Sequence, residues 1–331
     1  MTTTLPFRIT TRTITDLSEP TTTPTPENEH FFRYTSGRWL WDEEQQLRDR
    51  YKVFDVAALQ SLAANAVRSD SCLSMTKLAE GGYNKVFRLI MNDGKKVLAR
   101  IPNPTAGPAF YTTASEVATM ELARDFLQIS VPRVLDWNAT SKNAVDSEYI
   151  IMEEASGTQL GVIWDQLNPD KKLSIMREIV NVESKMLAVS FGSIYSASEA
   201  VESAVPALLT NAASSELKER VRKRFSIGPT VDRSFWKKER SSMQIPRGPW
   251  RTPRESALSV GRRERVWIKR FAISKPSSEA TLVSPAQNSP QAHLQLLEKY
   301  LQVAPALMGI DPVLTRPTLW HGDLHSSILI F

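Results

Sequence analysis

The chain has 331 residues, 41 Lys and Arg against 36 Asp and Glu for a net charge of +5, 41% hydrophobic residues, 20 Pro, 13 Gly and one Cys. That apolar content excludes a collagen-like, coiled-coil or fully disordered protein, and an unpaired Cys72 excludes an intrachain disulfide scaffold. No run of 18 uncharged apolar residues occurs, so no membrane span is expected.

Residues 1–29 are rich in Thr and Pro and poor in large apolar groups. Such a composition cannot offset the entropy lost on ordering, and a disordered leader is expected. Its first fifteen residues carry Arg8 and Arg12, many hydroxyls and no acid, as an organellar transit peptide does. The expected location is mitochondrial, or cytoplasmic if the leader is an untargeted tail. Residues 30–74 form an N-terminal extension. It opens on an aromatic cluster of Phe31, Phe32, Tyr34, Trp39 and Trp41, expected to pack as core or as a clamp, and continues with helical stretches from Asp42 to Tyr51 and Val56 to Val67.

Residues 75–155 are expected to form a nucleotide-binding lobe. A strand from Thr76 leads to a tight loop at Gly81 and Gly82, then a second strand ends at Met91. Asn92-Asp93-Gly94 marks a hairpin turn. A third strand, Lys96 to Ile101, ends at Pro102. Helical spacing follows from Thr113 to Phe126. A glycine loop lets backbone N–H groups approach phosphate, Arg100 on the third strand can neutralise it, and Glu116 on the helix can hold that cation. Glu116 also fits a capping box with Thr113, an alternative the sequence leaves open. The apolar run through Met152 and Glu153 reads as a strand leading into a small-residue hinge at 155–157.

Residues 156–331 are expected to be a helical lobe. Helices are predicted from Asn168 to Val189, with Asn168 as cap and Pro169 in the first turn. Others are predicted at 210–225, 252–271 and 291–307, with a mobile connection at 275–290. Between Ser215 and Lys275 there are 18 Lys and Arg against 6 Asp and Glu, interleaved with Phe235, Trp236, Trp250 and Trp267. A nucleic-acid surface is one reading of that pattern; solvated and paired helix faces are the other, and nucleic acid is the less favoured partner. Near Phe331, His321, Asp323 and His325 alternate, which reads as a catalytic loop with Asp323 as base or as a metal-binding face, the latter lacking further ligands nearby.

Together, H-G-D-L-H at 321–325, E-G-G-Y-N-K-V-F at 80–87, V-L-A-R-I-P at 97–102 and A-S-E-V-A-T-M at 114–120 resemble the aminoglycoside phosphotransferase family, in a fungal branch of it. Strings such as R-Y-T-S-G-R-W-L-W at 33–41 and I-G-P-T-V-D-R-S-F-W-K-K-E-R at 227–240 extend the resemblance from about His30 onward. It implies an α+β, protein-kinase-like bilobal fold, with a small antiparallel sheet lobe and a helical lobe. It implies ATP and magnesium, with transfer to a hydroxyl of a small-molecule acceptor. Asp323 would be the catalytic base, with His321 beside it. Gly81, Gly82, Arg100 and Glu116 would serve the phosphates, and Met152 and Glu153 the adenine. The family motif places a metal-binding Asn where this chain has Ile328. A second magnesium-binding Asp follows the loop in the family. The expectation is therefore a C-terminally truncated relative with an incomplete helical lobe and no metal-ligand set, impaired in transfer. A non-catalytic, pseudokinase-like binding protein is the alternative.

Overall fold

The computed structural model describes residues 28–187, 189–190, 193–199, 201, 203–209, 214–274, 284–308, 311 and 318–331. The expected leader through Pro26 and Glu27, and the connection at 275–283, lie outside these residues.

Three short helices lead into the first sheet: α1 (Glu29–Phe32), α2 (Glu43–Arg50) and α3 (Val56–Ala66). Asp55 caps α3 by accepting the Ala58 N–H at 2.8 Å. The sheet then forms from β1 (Cys72–Glu80), β2 (Asn84–Met91) and β3 (Lys96–Pro102), followed by α4 (Tyr111–Glu121), β4 (Val134–Asn138) and β5 (Tyr149–Glu153). The five strands are antiparallel in the order β1-β2-β3-β5-β4. This is the small antiparallel sheet of the expected α+β class, with its helix between the third strand and the next. Strand β4 has no counterpart in the sequence reading, because V-L-D-W-N is too short and too mixed to show alternation.

Alternation decides the two faces. In β2 and β3, Phe87, Leu89, Met91, Val97, Ala99 and Ile101 point one way and are buried against α3 and against Phe31, Phe32 and Phe54. The N-terminal extension is therefore core to this sheet. Its outer tip is different: Leu40 and Trp41 are exposed. Val86, Arg88, Leu98 and Arg100 point the other way, where Arg100 meets Glu116 of α4.

Beyond β5 come α5 (Leu160–Ile163) and α6 (Pro169–Leu187). Asn168 Oδ1 accepts the Lys171 N–H at 2.9 Å, the cap expected before Pro169. Strands β6 (Val189–Ser190), β7 (Ser193–Ser196), β8 (Val205–Pro206) and β9 (Leu208–Leu209) precede α7 (Ser215–Arg224) and β10 (Phe225–Gly228). Strands β7, β10 and β8 form one small sheet, and β6 and β9 pair separately. Short strands thus accompany the helices of the expected helical lobe, and the sequence reading did not name them. These strands have two to four residues, below the length at which period-two patterning can be read, and pairing between distant segments creates them. The small sheet packs on α4 through Ala118, Leu122, Ile194 and Phe225. Helices α8 (Pro253–Phe271) and α9 (Pro290–Leu307) pack together, so closely at Gly261 that a β-carbon there would meet the Tyr300 ring at 2.8 Å. Among the described residues no helix is long and apolar enough to cross a membrane.

Candidate nucleotide site

The turn joining β1 to β2 is Gly81-Gly82-Tyr83. All three of its carbonyls are tied back to the segment after β3. Gly81 O accepts from Asn103 Nδ2 at 3.4 Å, Gly82 O from Thr105 Oγ1 at 3.3 Å, and Tyr83 O from the Asn103 N–H at 2.7 Å. Gly81 N–H donates to Asn84 O at 2.9 Å. Among the described residues the N–H groups of Gly82 and Tyr83 have no acceptor. A β-carbon at Gly81 or Gly82 would meet nothing within 4 Å, so the turn faces open space. Carbonyls drawn away and donors left open make a backbone concavity suited to an anion.

Asn103 is itself held by a buried ionic cluster on the far face of the sheet. Lys85 is fully buried; its Nζ donates to Asn103 Oδ1 at 2.6 Å and to Arg50 O at 2.8 Å, and lies 3.2 Å from Glu80 Oε1. Glu80 Oε2 accepts the Thr35 N–H at 2.7 Å and pairs with Lys77 at 3.3 Å. Burial pulls the Lys85 ammonium below its ordinary range, and Glu80 opposes that pull. For Glu80, burial works upward, but the Thr35 N–H and the two lysines outweigh it and hold the carboxyl below its ordinary value. The sequence reading passed over Lys85, Glu80 and Asn103. The available signal was parity: Lys85 shares the core face of β2 with Phe87, Leu89 and Met91, where a lysine must have a partner.

Arg100 and Glu116 meet: the Arg100 guanidinium and the Glu116 carboxylate form a close ion pair between β3 and α4. Burial draws Arg100 down to about 10, which leaves it charged at neutral pH. Helix α4 starts at Tyr111 with Phe110 at its N-cap, so Thr113 lies inside the helix and the capping box does not form. Thr113 Oγ1 instead donates to Glu148 Oε2 at 2.6 Å. In register, Arg100 stands opposite Val86, three residues after Tyr83 of the glycine turn.

Met152 stands opposite Leu98 and so shares the Arg100 face. Glu153 stands opposite Val97, on the other face, where its carboxylate accepts the Arg133 N–H at 3.0 Å and lies 3.5 Å from Arg124. Strand pleating separates the two residues that the sequence reading grouped. Arg88 reaches across to Glu154 and binds both carboxylate oxygens.

The loop bearing Asp323 is pinned to the segment after β5. Thr158 and Phe331 exchange backbone bonds at 3.0 and 2.9 Å, Leu160 N–H donates to Leu329 O at 2.8 Å, and Gly161 N–H to Ser326 O at 3.0 Å. Gly157 has φ +124°, and a β-carbon there would meet Phe331 O at 2.6 Å. Asp323 projects into solvent with its side chain 86% exposed. Its N–H donates to His321 Nδ1 at 3.3 Å, and His325 Nε2 lies 3.7 Å from its Oδ2. Among the described residues no three His, Cys, Asp or Glu side chains gather as a metal site. Ile328 offers no donor, so the residues present do not fit the expected magnesium.

Two cavities stand out elsewhere. One of about 960 Å³ is lined by Lys95, Lys96, Arg124, Arg133 and Glu153. A groove of about 590 Å³ runs between α6 and the last segment, lined by Trp164, Met176, Val180, Trp320, His321 and His325. Neither is lined by Gly81, Gly82, Arg100, Glu116 or Asp323. In the basic 215–275 region the aromatic faces already carry the chain's own arginines. Arg247 lies 4.0 Å from the Trp236 ring centre, Arg263 4.3 Å from Phe235 and Arg240 4.6 Å from Trp267. Those cations are spent on internal packing.

No protein-family model matches the chain. It is 36% identical over 297 residues to a subtelomeric hrmA-associated cluster protein of Aspergillus fumigatus, a match covering 80% of this chain and 55% of that protein. It is 27% identical over 329 residues to the altered inheritance of mitochondria protein 9, mitochondrial, of Yarrowia lipolytica, covering 91% and 55%, and 24% identical over 374 residues to that of Saccharomyces cerevisiae, covering 92% and 59%. The chain thus spans a little over half the length of these relatives. Among solved structures it is similar to an APH(2")-IIia complex with GDP and kanamycin, at 12% identity and a TM-score of 0.30 over 40% of this chain and 41% of that one. It is also similar to the aminoglycoside phosphotransferase APH(4)-Ia with ADP and hygromycin B, at 18% and 0.27 over 40% and 39%. By sequence, along nine-tenths of its length, the chain is similar to the fungal altered inheritance of mitochondria proteins 9.

Proposed function

We propose that the chain is a nucleotide-binding relative of the kinase-like phosphotransferases. It holds the phosphates of ATP between the Gly81–Tyr83 turn and Arg100. The observation that carries this reading is the turn itself: three carbonyls fastened to Asn103 and Thr105, and two N–H groups left open beside the charged strand β3. Glu116 keeps the Arg100 guanidinium oriented. Leu98 and Met152 offer an apolar floor for the base on the same face.

For transfer, Asp323 would take the proton of an acceptor hydroxyl while that oxygen bonds to the γ-phosphorus and the bond to the β,γ-bridging oxygen breaks. The resemblance favours a small-molecule acceptor. Phosphoryl transfer depends on positioning and on neutralising charge. With Ile328 at the position of the motif's Asn and no metal-ligand cluster among the described residues, this chain is proposed to bind nucleotide far better than it turns it over. The relatives named mitochondrial support a mitochondrial location.

The test is thermal stabilisation by ATP. Saturating ligand at about 100 times its dissociation constant adds about 2.7 kcal/mol of stability. The wild type should melt higher with ATP than without. Arg100→Met should lose that shift while retaining its ligand-free melting temperature to within a few degrees. No shift in the wild type would refute the reading.

A further inference from the structure

The glycine turn has a neighbour from the second half of the chain. The Arg233 guanidinium lies over the Tyr83 ring, its central carbon 3.7 Å from the ring centre. The backbone around Arg233 is fixed from several sides. Asp232 Oδ1 accepts the Ser234 N–H at 2.8 Å, and buried Arg263 donates to Ser234 Oγ at 2.5 Å. Phe235 is buried against Trp250, and Trp236 Nε1 donates to Thr230 O at 2.7 Å. Trp236 also lies 5.2 Å from Tyr111, at the start of the helix that carries Glu116.

Arg233 differs from the three neighbouring arginines that also stack on rings, Arg240, Arg247 and Arg263. Arg240 and Arg263 share Glu264, and Arg247 is bound by carbonyls. Among the described residues Arg233 is exposed, and no carboxylate or carbonyl takes its N–H groups. A guanidinium stacked by its face keeps its in-plane N–H donors available, in the fork that suits phosphate oxygens. Tyr83, like Gly82, has an N–H that stands open in the turn.

We propose that Arg233 is a phosphate-binding residue of this site: stacked on Tyr83, it stands beside the glycine turn and grips the phosphates of a bound nucleotide as a second cation besides Arg100. This rests on the reading of the turn as a nucleotide site. It adds a cation from the Arg-rich 215–275 segment, whose Trp236 packs on Tyr111 at the start of α4.

The experiment is calorimetric titration of the full chain with adenosine, ADP and ATP, using the wild type, Arg233→Ala, Arg233→Lys and Tyr83→Ala. For Arg233→Ala, ATP affinity should fall about tenfold, the worth of one charge-assisted hydrogen bond. ADP affinity should fall less, and adenosine affinity should be unchanged. Arg233→Lys should recover part of the loss, and Tyr83→Ala should reproduce part of it. A uniform loss across the three ligands would mean that Arg233 only braces the fold, and would overturn the proposal. So would full ATP affinity in Arg233→Ala with the wild type binding ATP. A wild type that binds none of the three removes the nucleotide reading itself, and this inference with it.

Discussion

Lys85 Nζ lies 2.6 Å from Asn103 Oδ1, and through Asn103 a cation sealed inside the sheet holds the carbonyl of Gly81 at the surface. The same Nζ reaches the carbonyl of Arg50 and the carboxylate of Glu80. The N-terminal extension, the end of β1 and the glycine turn are thereby tied to one ammonium group. Removing it leaves Glu80 Oε1 without its cation, and breaking a buried pair from one side costs about 3–5 kcal/mol. Lys85→Met is expected to lose about 3 kcal/mol in urea unfolding, and the loosened turn should weaken ATP binding as well. A variant as stable as the wild type would show that the cluster contributes nothing net.

Acid should probe the same cluster. Glu80 is held below its ordinary 4.5 because burial, which works upward, is outweighed by the Thr35 N–H and the two lysines. Glu264 behaves alike: burial is outweighed by its bonds to Arg240 and Arg263. A carboxyl with a lowered native pKa contributes stability that is complete above its unfolded value and is lost as pH falls through the folded one. The melting temperature is expected to hold level from pH 7 to about pH 5 and to decline below about 4.5. Glu80→Gln should start lower at neutral pH, with Lys85 short of its counter-charge, and should decline less steeply in acid. Parallel curves for the two proteins would contradict the assignment.

Gly157 controls how the Asp323 loop docks. Its φ of +124° and the 2.6 Å approach of Phe331 O to a would-be β-carbon leave no room for alanine. Gly157→Ala should cost about 1–3 kcal/mol of local strain. The backbone bonds of Thr158, Leu160 and Gly161 to residues 326–331 should open first. Hydrogen exchange at the Thr158 and Leu160 amides should accelerate, while amides of β2 and β3 should stay protected. Unchanged protection at 158–160 would place the strain elsewhere.

Ile328 tests the metal. Ile328 is 43% exposed, so a polar residue there should change stability by no more than about 0.5 kcal/mol. Ile328→Asn places an amide oxygen five residues after Asp323, where the related motif carries its metal ligand. Magnesium should then tighten ATP binding more in the variant than in the wild type, as read by titration with and without the ion. Equal responses in the two proteins would show that position 328 does not contact the metal.

Much of the first sheet was legible from residue order alone. Alternation in N-K-V-F-R-L-I-M and K-V-L-A-R-I-P marks two strands with one apolar face, and Asn92-Asp93-Gly94 marks the turn between them. A cation on the outward face of β3 and an acid on the next helix are likewise close in sequence, and they pair. Short strands such as β7 and β10 were not legible, because four residues carry no usable period and only their pairing partners make them strands.

Periodicity reports the face on which a side chain lies, and local motifs report how the chain turns. Neither reports which distant group will be waiting there. That Lys85 is buried with Glu80 and Asn103, that Glu153 turns away from Met152, and that Arg233 comes to rest on Tyr83 were settled when separate segments packed together. A buried charge is tolerable only where partners from several segments converge on it, and that convergence exists only in the folded chain.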